Sequence, residues 1–326
     1  MQKYKVLVTD HVFDDFDIER EVLSRAGAGL FVNQFRSVDE LLPHVGDIHG
    51  LLNCYLGPLD RRLFDAAPSL KVISRYGIGL DTINVEDATQ YGIVVSNVPD
   101  HAVNEVADHT VGMFLSLARK INLSWTRVKR GEWSLSYVKP LPALRTMTAG
   151  FIGFGKIGRA TAARLKPFGL RMIFHTPSWK GTVNGCSQVT LDELLATSDA
   201  VFIHCPSTPE TYHMIDWNMI EKMERRPLLI NTARGSIIDT GSLVRGLAEN
   251  RIRGAALDVL EDINAVVRKN HALKKFESVI VTPHSAFYSD ESVKDLRYRV
   301  AENAARVLCG EKPLFCANEQ LLQDFE

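Results

Sequence analysis

Gly153-Phe154-Gly155-Lys156-Ile157-Gly158 narrows the fold of this chain more than any other segment. It lies between an apolar strand (Met147, Ala149, Phe151, Ile152) and a helix-like run from Arg159 to Phe168. In that setting the first glycine permits a tight turn, the second lets backbone approach a pyrophosphate, and the third lets helix pack on strand. The N–H groups at the helix start then face phosphate. Glycine-rich turns alone are common. Here a second apolar strand, Arg171 to Phe174, completes a strand-helix-strand unit of about 30 residues, so a dinucleotide site is expected. About 20 positions after the glycines, where a carboxylate would hold the ribose 2′-hydroxyl of NAD, stand His175 and Thr176. Thr176 has no charge to repel a 2′-phosphate, and Ser178 and Lys180 could bind one. NAD(H) and NADP(H) are both open on this reading.

With 326 residues the chain can form about two domains. Its 38 basic and 39 acidic residues give a formal net charge of −1, which argues against nucleic acid or a membrane surface as a partner. The five cysteines (Cys54, Cys186, Cys205, Cys309, Cys316) include no C-x-x-C pair, so neither a disulfide framework nor a thiolate metal site is expected. No signal-peptide pattern or membrane-length apolar run occurs, and a soluble cytoplasmic protein is the expectation. The ten histidines show no H-E-x-x-H spacing, so no metal is expected either.

From Tyr4 to Val95 short apolar strands (Val6-Leu7-Val8, Leu30-Phe31-Val32, Leu51-Leu52, Val72-Ile73, Val94-Val95) alternate with amphipathic segments such as Phe16 to Ala26. This predicts a parallel sheet wrapped by helices. From Ala102 to Arg130, Val103, Val106, Thr110, Phe114, Leu117 and Ile121 recur at helical spacing and predict one long helix with a broad apolar face. Strands at Ala200 to Ile203, Leu228 to Ile230, Gly254 to Leu257 and Val279 to Val281 predict a second parallel sheet. Asp290 to Leu308 reads as an amphipathic helix ended by Gly310, returning to the first domain. The expected architecture is α/β, two Rossmann-like parallel-sheet domains with a cleft between them, the first flavodoxin-like. The boundaries are 1–100, completed by 289–326, for a substrate domain and 101–288 for a dinucleotide-binding domain.

Ligands of open parallel sheets sit beyond the carboxyl ends of the strands. Three polar groups follow strands there: Asn231-Thr232-Ala233-Arg234-Gly235, Asp258, and Thr282-Pro283-His284. Arg234 could bind a carboxylate and polarise a carbonyl, His284 could move a proton near neutral pH, and Asp258 could fix a carboxamide. Each taken singly is more often a surface pair, a turn cap or a turn former. Their convergence on the nucleotide edge favours a site. Arg75-Tyr76-Gly77-Ile78-Gly79-Leu80-Asp81 offers N–H groups beside an arginine and suits a small anion.

These segments, with Asn104 to Thr110 and Gly254 to Val259, resemble the D-isomer-specific 2-hydroxyacid dehydrogenases, which include D-3-phosphoglycerate dehydrogenase, glyoxylate reductase and the C-terminal-binding proteins. The resemblance runs nearly end to end. Ser285 to Ser289 looks most like the C-terminal-binding proteins, which would make Phe287 a lining residue of the substrate pocket, with Tyr55 on another loop beside it. The resemblance implies that Arg234 grips a small 2-oxoacid, that Ile78 and Gly79 N–H groups hold its carboxylate with help from Arg75, and that His284 protonates the ketone oxygen. It implies cofactor contacts at Thr110, Phe154 to Ile157, His204, Cys205, Pro206, Ala233 and Asp258, to which the glycine motif and the strand ends add Gly153, Gly158, His175, Thr176 and Thr232. It also implies a homodimer, for which the helix from Ala102 to Arg130 is the expected contact.

One departure stands out. Family members have Asp-Val-x-Glu-x-Glu-Pro where this chain has Asp258-Val259-Leu260-Glu261-Asp262-Ile263-Asn264. Ile263 thus holds the place of the glutamate that keeps the histidine protonated, and its side chain accepts no hydrogen bond. A shifted loop could bring Glu261 or Asp262 to that task. Without it, the chain would be a slow enzyme or a dinucleotide-gated binding protein.

Overall fold

The computed structural model describes residues 3–177, 181–183, 185–263 and 271–325. The chain divides into two compact units, Met1–His101 with Ser289–Glu326, and Ala102–Tyr288. In the first, five parallel strands, β1 (Tyr4–Val8), β2 (Ala28–Val32), β3 (Gly50–Asn53), β4 (Val72–Arg75) and β5 (Val94–Ser96), lie in the order β2-β1-β3-β4-β5. That is the flavodoxin-like order. Both faces are covered, so β3 and β4 are buried along their whole length and read as unbroken runs rather than alternations. Val6 and Val8 enter one core with Leu296 and Val300, while Leu7 enters the other with Leu63 and Phe64.

The helix Asp290–Cys309 belongs to this unit, packing on the helix Asp17–Arg25 and on β4. Its ends are set locally. Ser289 and Ser292 form a reciprocal capping box, and Gly310 closes the helix at φ 85°.

The second unit holds an eight-stranded sheet: β6 (Thr148–Ile152), β7 (Arg171–His175), β8 (Thr182–Val183), β9 (Cys186–Gln188), β10 (Ala200–Ile203), β11 (Leu228–Asn231), β12 (Gly254–Leu257) and β13 (Val279–Val281). The order is β13-β12-β11-β10-β6-β7-β9-β8, whose stretch from β9 to β12 is the doubly wound dinucleotide-binding order. The strands expected here all pair in parallel, and the sheet adds an antiparallel β8–β9 pair too short and polar to register as alternating apolar residues. One expectation needs correction. The segment from Ala102 to Arg130 is two helices, Val103–Ala118 and Ile121–Lys129. Lys120 separates them at φ 52°, a left-handed conformation, and a residue's φ leaves no trace in apolar spacing.

The register fixes what matters for function. Ile152 pairs with Ile203, Ile203 with Asn231, Asn231 with Leu257, and Leu257 with Val281, one row across five strands. The residues just beyond that row are Gly153, His204, Thr232, Asp258 and Thr282. All five therefore share one edge.

A glycine at position 120 tests the helix break. Lys120→Gly relieves a side chain held in left-handed backbone and should stabilise the protein by about 1 kcal/mol, raising the urea midpoint. A continuous helix through this position would instead lose about 1 kcal/mol and lower it.

Candidate active site

At the end of β6 the three glycines have three different surroundings. Gly153 sits at φ +87°, and a Cβ there would lie 2.6 Å from the backbone nitrogen of Cys205 and 2.7 Å from the carbonyl carbon of His204. The first two turns of the edge thus touch through backbone. A Cβ on Gly158 would meet the Gly153 carbonyl oxygen at 2.7 Å, so this glycine lets the helix Lys156–Leu165 seat against the strand. Gly155 is the opposite case, with nothing within 4 Å of a Cβ. Open space before a helix start that no side chain caps is what a dinucleotide's pyrophosphate needs, and the residues fit that group.

The rest of the cradle is packed around this opening. Phe154 stacks on Phe174 at 4.3 Å and is a core residue, so only its backbone faces the edge. Ile157 packs against Ala102, Val106 and Ala286. Lys156 is exposed at the first helical position. His175 Nδ1 lies 3.2 Å from the Val189 carbonyl oxygen, and the Thr176 carbonyl accepts from Gln188 Nε2 at 3.0 Å. Ser178 and Lys180 lie outside the described residues. Burial holds the His204 imidazole neutral, down to about 4, and its Nε2 has no hydrogen-bond partner among the described residues; burial also raises the Cys205 thiol to about 11. The Pro206 carbonyl accepts from Thr211 Oγ1 at 2.7 Å. The Thr110 and Thr232 hydroxyls meet at 2.9 Å.

Beyond β11, buried Asn231 shapes the turn that carries Arg234. Its Oδ1 accepts from Ala233 N at 2.9 Å and its Nδ2 donates to the Arg234 carbonyl at 2.8 Å. Gly235 is required here, since a Cβ would strike the Leu260 backbone at 2.2 Å.

His284 is positioned by Asp258. The Asp258 carboxylate is buried and accepts from Thr282 Oγ1 (2.5 Å) and Ser285 N (2.9 Å) on Oδ1, and from Ala286 N (3.0 Å) on Oδ2. Its carbonyl accepts from His284 N at 2.9 Å. The turn 282–286 is thereby held so firmly that His284 adopts φ 54°, a left-handed conformation costly for a residue with a Cβ. His109, on the helix Val103–Ala118, adds a further brace: its Nε2 lies 3.0 Å from Thr282 Oγ1 and 3.7 Å from Asp258 Oδ1. Phe287 stands edge-on to the His284 ring at 6.0 Å. Sequence reading missed the role of His109, although a histidine one residue before Thr110 on the same helix was a usable sign.

The Glu261 carboxylate has two partners: its Oε1 is 2.6 Å from His213 Nε2 and its Oε2 accepts from Thr240 Oγ1 at 3.3 Å. Ile263 is 60% exposed.

In the first unit, the loop after β4 is built on Arg75. The Arg75 side chain is buried, its Nη1 donates to the Tyr76 carbonyl at 2.5 Å, and it lies 5.9 Å from the Tyr55 ring. Gly77 makes this possible, with φ +129° and no Cβ to meet that Nη1 at 1.9 Å. Asn97 Nδ2 holds the Ile78 carbonyl at 2.6 Å, and Val98 N holds that of Gly77 at 3.0 Å, which leaves Gly79 at the partly exposed tip. A second missed residue is Asp10, just beyond β1. Its carboxylate accepts from the N–H groups of Cys54 (3.0 Å), Tyr55 (2.6 Å) and Leu56 (3.1 Å) and so sets the loop that carries Tyr55. Its sign in the sequence is close to the one that Asp258 gives, a carboxylate within two residues of the end of an apolar strand.

Residues 111–286 match the family model described as D-isomer specific 2-hydroxyacid dehydrogenase, NAD binding domain. The chain is 38% identical over 294 residues to a glyoxylate reductase of Thermofilum pendens, covering 88% of this chain and 86% of that one. Among solved structures it is similar to D-lactate dehydrogenase from Aquifex aeolicus complexed with NAD and lactic acid (TM-score 0.82, 29% identity, 91% and 93% covered). It is likewise similar to an NADPH-dependent glyoxylate/hydroxypyruvate reductase from Sinorhizobium meliloti in complex with NADP and malonate (TM-score 0.84, 28% identity, 99% and 98% covered).

The contrast between two glycines provides a test. Gly155→Ala should fold normally, with an unchanged melting temperature, yet weaken dinucleotide binding at least about tenfold by filling the cradle. Gly153→Ala, forced against backbone, should lower the melting temperature as well. Equal dinucleotide affinity in Gly155→Ala and the unaltered protein, by fluorescence titration, would place the pyrophosphate elsewhere.

Proposed function

From the premise that the chain belongs to the D-isomer-specific 2-hydroxyacid dehydrogenase family, we propose how its residues divide the work of the reaction. The protein is an NAD(P)-dependent oxidoreductase that interconverts a 2-oxoacid and a D-2-hydroxyacid. A bound nicotinamide dinucleotide supplies or receives the hydride. Arg234 binds the 2-oxoacid and stabilises negative charge growing on the carbonyl oxygen. His284 delivers a proton to that oxygen, and takes it back in the reverse direction. Arg75 and the N–H groups of Ile78 and Gly79 hold the carboxylate, while Phe287 and Tyr55 line the substrate's surroundings. Thr110, Gly153 to Gly158, His175, Thr176, His204 to Pro206, Thr232 and Ala233 orient the dinucleotide. Asp258, besides fixing the His284 turn, receives the carboxamide.

The observation that carries this reading is the row of residues beyond five strands, in which Asp258 locks the histidine-bearing turn in left-handed backbone. The rival reading, a dinucleotide-gated binding protein without turnover, is not favoured, because the relatives named above are enzymes.

We also infer a homodimer through the segment that follows the helix Val103–Ala118. Ile121, Trp125, Trp133 and Leu135 are exposed there, Trp133 by 91%, and large apolar side chains left in water close together in sequence support association. The five cysteines are all free, which fits a reducing cytoplasm. No helix among the described residues is long and apolar enough to cross a membrane.

Oxidation of NADH and NADPH with glyoxylate, hydroxypyruvate, pyruvate and phenylpyruvate tests the assignment. His284→Gln should lower kcat by about 10²–10⁴ while dinucleotide affinity holds. Turnover undiminished in this variant would remove His284 from the chemistry. Ile263→Glu should raise kcat for reduction and extend activity to higher pH, because a carboxylate partner favours the charged imidazole. An active enzyme that gains nothing already has another group in that role. For the dimer, sedimentation at micromolar concentration should give twice the chain mass, and Trp133→Ser with Leu135→Ser should shift it to the monomer; a monomeric parent protein contradicts the inference.

A further inference from the structure

Beneath the Arg75 loop lies a buried ionic network that the reaction as described does not use. Glu19, on the helix Asp17–Arg25, is fully buried. Arg297, on the helix Asp290–Cys309, grips it with both ends of the guanidinium, Nε to Oε1 at 2.9 Å and Nη2 to Oε2 at 2.8 Å. The same Nη2 donates to Oδ1 and to the carbonyl oxygen of Asp15, each at 2.8 Å. Phe13 and Phe16 flank the guanidinium at 5.3 and 5.9 Å. An ion pair so enclosed is a poor source of net stability, since desolvation offsets much of the attraction; its best-attested use is to fix one arrangement of the chain.

The arrangement fixed here is that of Tyr76. Its phenol is buried and donates to Glu19 Oε1 at 3.1 Å, and burial beside the carboxylate keeps the phenol protonated, so that it remains a donor. Phe13 packs against its ring at 5.0 Å. The carbonyl of this same residue accepts from Arg75 Nη1, and the next residue is Gly77, over which the Arg75 side chain folds. Tyr76 is therefore anchored at its side-chain tip by Glu19 and holds the arginine through its backbone.

We propose that Glu19, held by Arg297, is a positioning residue for substrate binding, setting the Arg75 guanidinium through Tyr76 so that it meets the carboxylate of the 2-oxoacid. This rests on the reading that Arg75 binds that carboxylate. Neither Glu19 nor Tyr76 reaches the reacting atoms on this account. The consequence of loosening them is a poorer grip on the substrate with the hydride step intact.

The test is a double-mutant cycle between Tyr76→Phe, which removes only the hydroxyl, and Arg75→Gln, read with glyoxylate as kcat, KM and the dinucleotide dissociation constant. Tyr76→Phe should raise KM about tenfold, with kcat and dinucleotide affinity within twofold of the unaltered enzyme. In the Arg75→Gln background the same change should have no further effect on KM, because the group through which it acts is gone. Glu19→Gln should follow Tyr76→Phe in direction, and Tyr76→Phe keeps the test sound should that variant fail to fold. If Arg75→Gln leaves KM unchanged, the carboxylate reading fails and the positioning role with it. If Arg75→Gln raises KM but Tyr76→Phe does not, or if the two effects simply multiply, the carboxylate reading stands and the positioning role is overturned.

Discussion

The carboxylate of Asp258 is buried at the end of β12, one strand in from the edge of its sheet, where an unpaired charge would be strongly unfavourable. It is satisfied by a hydroxyl and two backbone N–H groups from the single turn that follows the neighbouring strand. Those bonds draw the turn over the edge of the sheet and hold His284 in a conformation that an unconstrained histidine rarely adopts. The placement of His284, the proton-transferring group of the proposal, thus depends on one aspartate whose own position the β11–β12–β13 register determines. Thr282, braced by His109, extends the same hold to the helix Val103–Ala118.

The first unit repeats the device. Asp10 also follows an apolar strand, is also buried, and also gathers successive N–H groups of a neighbouring loop. In a flavodoxin-like sheet, the gap between the first and third strands is a natural place for a ligand. Here the chain's own carboxylate occupies the donors at that gap, and Tyr55 is carried on the loop so fixed. In both units a charge at a strand end orders a loop, and that loop carries a side chain to which the proposed reaction gives a role.

Much of this was legible in the sequence because parallel strands buried on both faces are unbroken apolar runs, and the residues directly after such runs share one edge of the sheet. Gly153, Arg234, Asp258 and His284 could be placed together on that ground alone. Features written in a dihedral or in distant pairing were not legible. Lys120 reverses the backbone without interrupting helical spacing, and the β8–β9 pair is too short to show a period. The contact of the Glu261 carboxylate with His213, 48 positions away, likewise has no local sign. Glu19, Tyr76 and Arg297 gave no sign of one another, since a buried ion pair joining residues 278 apart has no local pattern.

On the proposed division of labour, Arg234 and the Asp258-held turn place charge and proton at the substrate. The most direct measurement is a crystal structure of the protein with a nicotinamide dinucleotide and oxamate, an unreactive analogue of a 2-oxoacid. The account predicts the Arg234 guanidinium and the His284 imidazole both within about 3.2 Å of the analogue's carbonyl oxygen. Either side chain turned away from that oxygen, with the analogue bound beside the nicotinamide, would contradict it.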